Sequence, residues 1–161
     1  MSADEWFEAY GVSHQNPINK AIHWVCVPLI VFSTVGLLWS VPLASMFGVP
    51  AAGIFQFVNL GTLLVLASLV FYFKLGVRIG VGMLGWSALA LFGNFWFQSN
   101  PIFGLSLWQS STLIFVVAWI GQFVGHKIEG LKPSFFEDLQ FLLVGPAWLL
   151  HFIYKRLNIS Y

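Results

Sequence analysis

Long stretches without a charged residue constrain this chain most. No Asp, Glu, Lys or Arg lies between Lys20 and Lys74, and the 161 residues are 58% hydrophobic and only 8% charged. Soluble domains carry about 25% charged residues, and a soluble chain of this length still exposes roughly 30% of its unfolded surface to water. The composition therefore indicates an all-α integral membrane protein, with residues 1–161 forming a single polytopic domain.

Four apolar segments are long enough to cross the hydrocarbon as helices, which takes about 20 residues each. Asn16 and Pro17 suit the cap and the first residue of the first helix, since Asn caps helices well and Pro fits their first turn. The predicted transmembrane helices cover residues 17–39, 54–73, 79–97 and 107–126.

Basic residues lie on only one side of this predicted topology. The turns on the opposite side contain no Lys or Arg, whereas the near side carries Lys20, Lys74, Arg78, Lys127 and Lys132. By the positive-inside rule the near side is cytoplasmic, so we expect the N-terminus there. The expected location is the bacterial inner membrane, or the endoplasmic reticulum in a eukaryote. Seven basic against six acidic residues give no indication of a nucleic-acid partner.

The last apolar segment, residues 139–154, allows two interpretations. Gly145 and Pro146 lie near its middle, where proline removes a helix hydrogen bond and favours a break. A Pro-broken re-entrant hairpin would return Lys155 and Arg156 to the cytoplasmic side, whereas a kinked fifth helix would place them opposite. The charge rule favours the re-entrant form. The predicted fold is thus four transmembrane helices plus this C-terminal segment.

All four histidines fall on the same predicted face of the membrane. His14 precedes the first helix, His23 lies about two turns inside it, and His126 ends the fourth helix. His151 joins them if the chain turns back at Pro146. Ionisable groups in membrane helices usually face the bundle interior, and neutral imidazole is a good ligand for iron, zinc, copper or nickel. The sequence therefore predicts a metal site.

Helical spacing adds polar neighbours to these histidines. Asn19 and His23 are four residues apart and share a helix face, and so do Gln122, His126 and Glu129 if the fourth helix continues past His126. A ligating imidazole usually donates its second N–H to a carboxylate, carbonyl or amide. Asn19, Gln122 and Glu129 are therefore candidate supporting residues. Histidines that only cap helices or contact lipid headgroups are the simpler alternative.

The residues around the histidines resemble two signatures of the fungal 2-hydroxy fatty acid dioxygenase family. The first comprises Tyr10-x3-His14, Asn16-Pro17-x-Asn19-x3-His23 and Pro28. The second comprises Trp119-x2-Gln122-Phe123-x-Gly125-His126, followed by Glu129 and Pro133. Hydrophobic segments separate the two, as in that family. One departure concerns Glu129, which follows His126 after two intervening residues where the fungal pattern has three.

The resemblance implies a membrane-embedded Fe(II)-dependent dioxygenase that shortens 2-hydroxy fatty acids by one carbon, with O2 as the oxidant. It assigns the catalytic metal ligands to His14, His23 and His126, and His151 is our own added candidate. A fatty acid, O2 and the membrane are the expected partners, and the oligomeric state is left open. The alternative is a non-enzymatic membrane protein whose histidines ligate haem or a metal, since two imidazoles on facing helices can bind haem axially.

Overall fold

The computed structural model describes residues 2–130 and 141–161, and every regular element in them is helical. Single 3₁₀ turns cover Gly53–Phe57 and Ile102–Gly104. The helices are α1 (Ala3–Gly11), α2 (Pro17–Trp39), α3 (Leu43–Met46), α4 (Leu60–Leu75), α5 (Val77–Ser99), α6 (Leu107–Glu129) and α7 (Val144–Arg156).

The central pair of the bundle is α2 against α6, which make the most extensive contact between any two of these helices. The Asn16 side chain accepts a hydrogen bond from the Ile18 N–H at 2.9 Å and caps α2, whose bounds are those predicted. Gly121 and Gly125 let the two backbones approach: a methyl group there would collide with Cys26 and Asn19, respectively. Close packing through small residues is typical of membrane helices.

The fourth predicted helix continues beyond its predicted end. Helix α6 begins at Leu107, as expected, but reaches Glu129 and stops at Gly130, whose φ of 81° ends the helix in the left-handed region. Glycine adopts this conformation without the penalty that a side chain brings. Gln122, His126 and Glu129 therefore lie along one stripe of a continuous helix.

Three helices are long and apolar enough to cross a membrane among the described residues, and they contain α2, α5 and α6. The predicted helix at 54–73 is shorter than expected, because the Asn59 side chain caps Thr62 at 2.9 Å and α4 starts only at Leu60. Its 16 residues span about 24 Å against a hydrocarbon thickness of about 30 Å. The apolar helices make this a membrane protein, and the count of four transmembrane helices is not confirmed.

The predicted break at Pro146 is absent. Helix α7 starts at Val144, so Pro146 falls in its first turn, where a missing N–H leaves no helix bond unmade. The 13 residues of α7 cover about 20 Å, less than a full crossing needs. Neither a hairpin at Pro146 nor a fifth full-length span is seen in residues 141–161, and residues 139–140 of the predicted segment lie outside the described part.

Helix α1 was not predicted, because three acidic residues obscure its apolar stripe. Ser2 and Glu5 form a reciprocal capping box at its start, a pattern that the sequence displays. Its buried residues include Phe7 and Tyr10, which pack in one cluster with Trp148 of α7. This packing brings the chain that follows α1 against the ends of α2 and α6.

Candidate metal centre

Three histidines from three separate parts of the chain meet in the protein interior. His14 and His23 are each 1% exposed and His126 is 5% exposed. Their ring centroids are 4.2 Å apart for His14 and His23, 5.1 Å for His23 and His126, and 5.4 Å for His14 and His126. One ring nitrogen from each lies within 4.8 Å of the others, so the three can hold one ion between them.

The turn after α1 positions His14. Its backbone N–H donates to the Gly11 carbonyl at 3.0 Å, and its Nδ1 lies 2.6 Å from the Tyr10 carbonyl oxygen. A carbonyl can only accept, so Nδ1 carries the proton and Nε2 is the nitrogen with a lone pair for a metal. The Tyr10 ring stacks on the imidazole with centroids 4.2 Å apart, which fixes the ring plane.

His23 has the same arrangement inside α2. Its Nδ1 donates to the Asn19 carbonyl, one helical turn earlier, at 2.9 Å. A histidine that binds a metal commonly donates its other ring N–H to a backbone carbonyl, which sets both the tautomer and the orientation. His14 and His23 are therefore both prepared to bind a metal through Nε2.

Glu129 is not part of the three-histidine group but stabilises the segments that carry it. Its carboxylate accepts hydrogen bonds from the backbone N–H of Gln15 at 2.8 Å, from that of Asn16 at 2.9 Å, and from the Asn19 side chain at 2.9 Å. The end of α6 is thereby tied to the loop that carries His14 and to the start of α2. Two of the predicted supporting residues, Asn19 and Glu129, thus contact each other directly.

Gln122 lies one turn before His126 and is 5% exposed. With Tyr10, Trp119 and Gly145 it borders a cavity of about 20 Å³, large enough for one water molecule. Its side-chain carbonyl oxygen has no hydrogen-bond partner within residues 2–130 and 141–161. Buried polar atoms are normally satisfied, so this oxygen suits a water molecule bound in that cavity.

His151 lies outside this group in the described part of the chain, contrary to the expectation that it joins the other three. Because α7 runs unbroken through Pro146, the His151 ring packs against Phe7, with centroids 5.0 Å apart. Its Nδ1 contacts the hydroxyl of Tyr161, which in turn lies 3.3 Å from the Asp4 carboxylate. His151 fastens the C-terminal residues to α1.

The sequence pattern did not indicate the aromatic cover of the site. Trp148 of α7 lies against Tyr10 and His14, with centroids at 5.1 Å and 5.4 Å. Tryptophans near helix ends are usual in membrane proteins as an interfacial belt, which conceals a role of this kind. Trp148 lies two residues after Pro146, and its contact with His14 depends on the packing of α7 against α1.

The donor set fits a divalent transition metal. Three neutral imidazoles suit zinc, copper, iron or nickel, and two of the rings have the hydrogen bonds expected of ligands. Haem fits less well, because a porphyrin needs a flat slot between two imidazoles, and the His14 ring meets His23 edge to face at 4.2 Å.

The fold and site define the class: a helical membrane protein with a buried three-histidine group at the end of its central helix pair. The chain belongs to the family described as 2-hydroxy-palmitic acid dioxygenase Mpo1-like, whose profile matches residues 1–157. It is 30% identical over 149 residues to 2-hydroxy-palmitic acid dioxygenase MPO1 of Saccharomyces cerevisiae, which covers 91% of this chain and 76% of the yeast protein. No solved structure matches. The family predicted from the motifs is confirmed, which supports a role in 2-hydroxy fatty acid metabolism.

Proposed function

We propose that this protein is an Fe(II)-dependent dioxygenase that removes one carbon from 2-hydroxy fatty acids. The observation that carries the proposal is the buried group of His14, His23 and His126 in a chain of the Mpo1-like family. The yeast relative is named for 2-hydroxy-palmitic acid, so a long-chain 2-hydroxy acid is the first substrate to test.

The reaction balances without an added reductant. A 2-hydroxy acid RCH(OH)COOH and one O2 give RCOOH, CO2 and H2O. The bond between C1 and C2 breaks, C2 is oxidised from an alcohol to a carboxylic acid, C1 leaves as CO2, and O2 takes up the electrons. When bound, Fe(II) would supply the centre that reacts with O2 and the Lewis acid that binds the oxygens of the substrate.

The protein's own groups hold and shield this centre. The Tyr10 and Asn19 carbonyls keep the protons of His14 and His23 on Nδ1, which leaves Nε2 of each ring for the metal. The Tyr10 and Trp148 rings cover His14 and limit the access of water. Exclusion of water strengthens electrostatic interactions inside the site and prevents side reactions.

We further propose that the histidine group lies at the cytoplasmic side of the membrane. Lys20 is in the first turn of α2, and Lys127 is in the last turn of α6, close in sequence to His23 and His126. The positive-inside rule places such residues in the cytoplasm. Cysteines introduced at Lys20 and Lys127 should react with a membrane-impermeant maleimide only after the cytoplasmic face of the membrane is made accessible. Labelling of these cysteines in sealed cells would contradict the proposed orientation.

The activity is tested with detergent-purified protein, Fe(II) and 2-hydroxypalmitate. We expect O2 uptake, CO2 and pentadecanoic acid in equal amounts, and no reaction under argon. Palmitate, which lacks the hydroxyl group, is the matched control and should be left unchanged. The absence of both O2 uptake and a shortened product in protein that retains its iron would contradict the proposal.

A further inference from the structure

A furrow opens between the start of α2 and the end of α7. It encloses about 410 Å³ and is lined by Lys20, Trp24, Phe152, Ile153 and Arg156. Two cations from different helices therefore face an otherwise apolar space, and no acidic side chain of the described residues lines it. A pair of unopposed cations at the edge of an apolar space complements an anion that carries a hydrophobic group.

A second, apolar cavity adjoins the furrow. This cavity of about 220 Å³ shares Trp24 and Ile153 with the first and extends to Pro28, Met83 and Trp86. Pro28 lies inside α2 without ending the helix. Among the residues that the structure describes, no charged residue lines the second cavity.

A third cavity lies nearer the middle of α2. It shares Met83 and Trp86 with the second, encloses about 50 Å³ and reaches Val35. From Lys20 to Val35 the rise along α2 is about 22 Å, comparable with the length of an extended palmitoyl chain.

The charged end of the furrow lies close to the histidines. Lys20 and Trp24 are neighbours on α2 of Asn19 and His23, respectively. Trp24 lies 6.4 Å from Phe152 between ring centroids, Phe152 lies 4.6 Å from Trp148, and Trp148 lies 5.4 Å from His14. A continuous series of aromatic rings thus separates the furrow from the candidate metal centre.

From this arrangement we infer that the furrow between α2 and α7 is the site that first takes up the fatty acid, before the acid reaches the metal centre, with its carboxylate between Lys20 and Arg156 and its chain along Trp24 and Met83. The ligand class rests on the proposed function, whereas the furrow and its charges do not. A fatty acid that enters from the bilayer can then keep its acyl chain in apolar surroundings. Its carboxylate lies near the same end of α2 as the histidines.

Binding is measured without turnover, on full-length metal-free protein with radiolabelled 2-hydroxypalmitate. Each lost charge-assisted contact should weaken binding about tenfold, so the double variant K20Q/R156Q should bind far less than the wild type. The matched control is Lys155→Gln, which removes the same charge one residue away from Arg156 but outside the furrow lining. Equal binding by the double variant and the control would overturn the inference.

The acyl-chain position is tested with 2-hydroxypalmitate that carries a diazirine at its terminal carbon. Cross-links should fall on α2 near Val35 and on α5 near Trp86, which both line the third cavity. Cross-links on the exposed face of α6, at Leu113, Val117 or Ile120, would overturn the inference. So would a phospholipid that native mass spectrometry finds in the protein and that the fatty acid does not displace.

The two proposals fail separately. Fatty-acid binding that depends on Lys20 and Arg156 in a protein without oxygenase activity would refute the proposed function and support the furrow. Oxygenase activity in a protein whose fatty-acid binding does not depend on these residues would support the function and refute the furrow.

Discussion

The Glu129 carboxylate accepts a hydrogen bond from the Asn19 side-chain amide at 2.9 Å, although the residues are 110 positions apart in the chain. Asn19 also presents its backbone carbonyl to His23, and Glu129 also binds the backbone after His14. One carboxylate thus fixes the relative positions of the three elements that carry the histidines.

Replacing Glu129 by Ala should loosen all three elements together. The loss removes an acceptor from the N–H groups of Gln15, Asn16 and Asn19. These groups are exposed or part-buried and can bind water instead, so each lost hydrogen bond should cost about 0.5–1.5 kcal/mol. We expect a lower free energy of unfolding in detergent and weaker metal retention. The control is Glu8→Ala in α1, an exposed carboxylate, which should change stability by less than about 0.5 kcal/mol. Unchanged melting and metal content in Glu129→Ala would contradict this account.

The close approach of α2 and α6 makes Gly125 sensitive to one added methyl group. A Cβ there would collide with the Asn19 side chain and push it from Glu129. Overpacking of this kind costs about 1–3 kcal/mol, so Gly125→Ala should lower both stability and metal affinity.

Gly85 in α5 provides the matched control for Gly125, since nothing lies within 4 Å of a Cβ built there. Gly85→Ala should be neutral or stabilising by about 0.5–1 kcal/mol, because alanine favours the helix over glycine. Thermal unfolding of both variants measures the difference, and equal effects would show that the contact at Gly125 is unimportant.

Acidification should release the C-terminal residues from α1. Burial, and secondarily the Lys155 charge, lower the pKa of His151, while Asp4 opposes them. The unfolded chain then binds a proton more readily, so the stability that His151 contributes is complete above a pH of about 6.5 and is lost below it. The raised pKa of Tyr161, about 12, keeps its hydroxyl protonated throughout this range.

Hydrogen exchange of residues 157–161, corrected for intrinsic rates, measures this release. We expect exchange to accelerate between pH 7.5 and pH 5.5 in the wild type. His151→Phe keeps an aromatic ring against Phe7 but cannot be protonated, so its tail should exchange at a pH-independent rate. A pH-independent rate in the wild type would contradict the assignment to His151.

The long uncharged helices were predictable because their signals are local. Asn16 and Pro17 mark the start of α2, and its predicted bounds agree with the structure. Errors arose where one residue outweighed the pattern around it. Asn59 starts α4 later than hydrophobicity indicates, and Pro146 begins α7 where a break was expected. The position of the helix start decides both cases, and this position depends on local backbone geometry that hydrophobicity does not indicate.

For the site, the motif spacing indicated which residues to consider but not their distances. His23 and His126 meet because α2 packs against α6. His14 joins them because Glu129 holds the segment that follows α1, a helix that was not predicted. His151 could not be placed correctly without α7, whose packing against α1 directs it to Phe7 and Tyr161. Trp148 was unpredictable for the same reason.

The metal content of purified protein tests the central claim most directly. Elemental analysis should find iron in equimolar amount in the wild type and in His151→Ala. It should find little in His14→Ala, His23→Ala and His126→Ala, since among the residues that the structure describes these three imidazoles form the group within reach of one ion. Removal of the metal with a chelator should abolish oxygen uptake, and added Fe(II) should restore it. Undiminished iron in folded His126→Ala, or its loss from His151→Ala, would contradict the account.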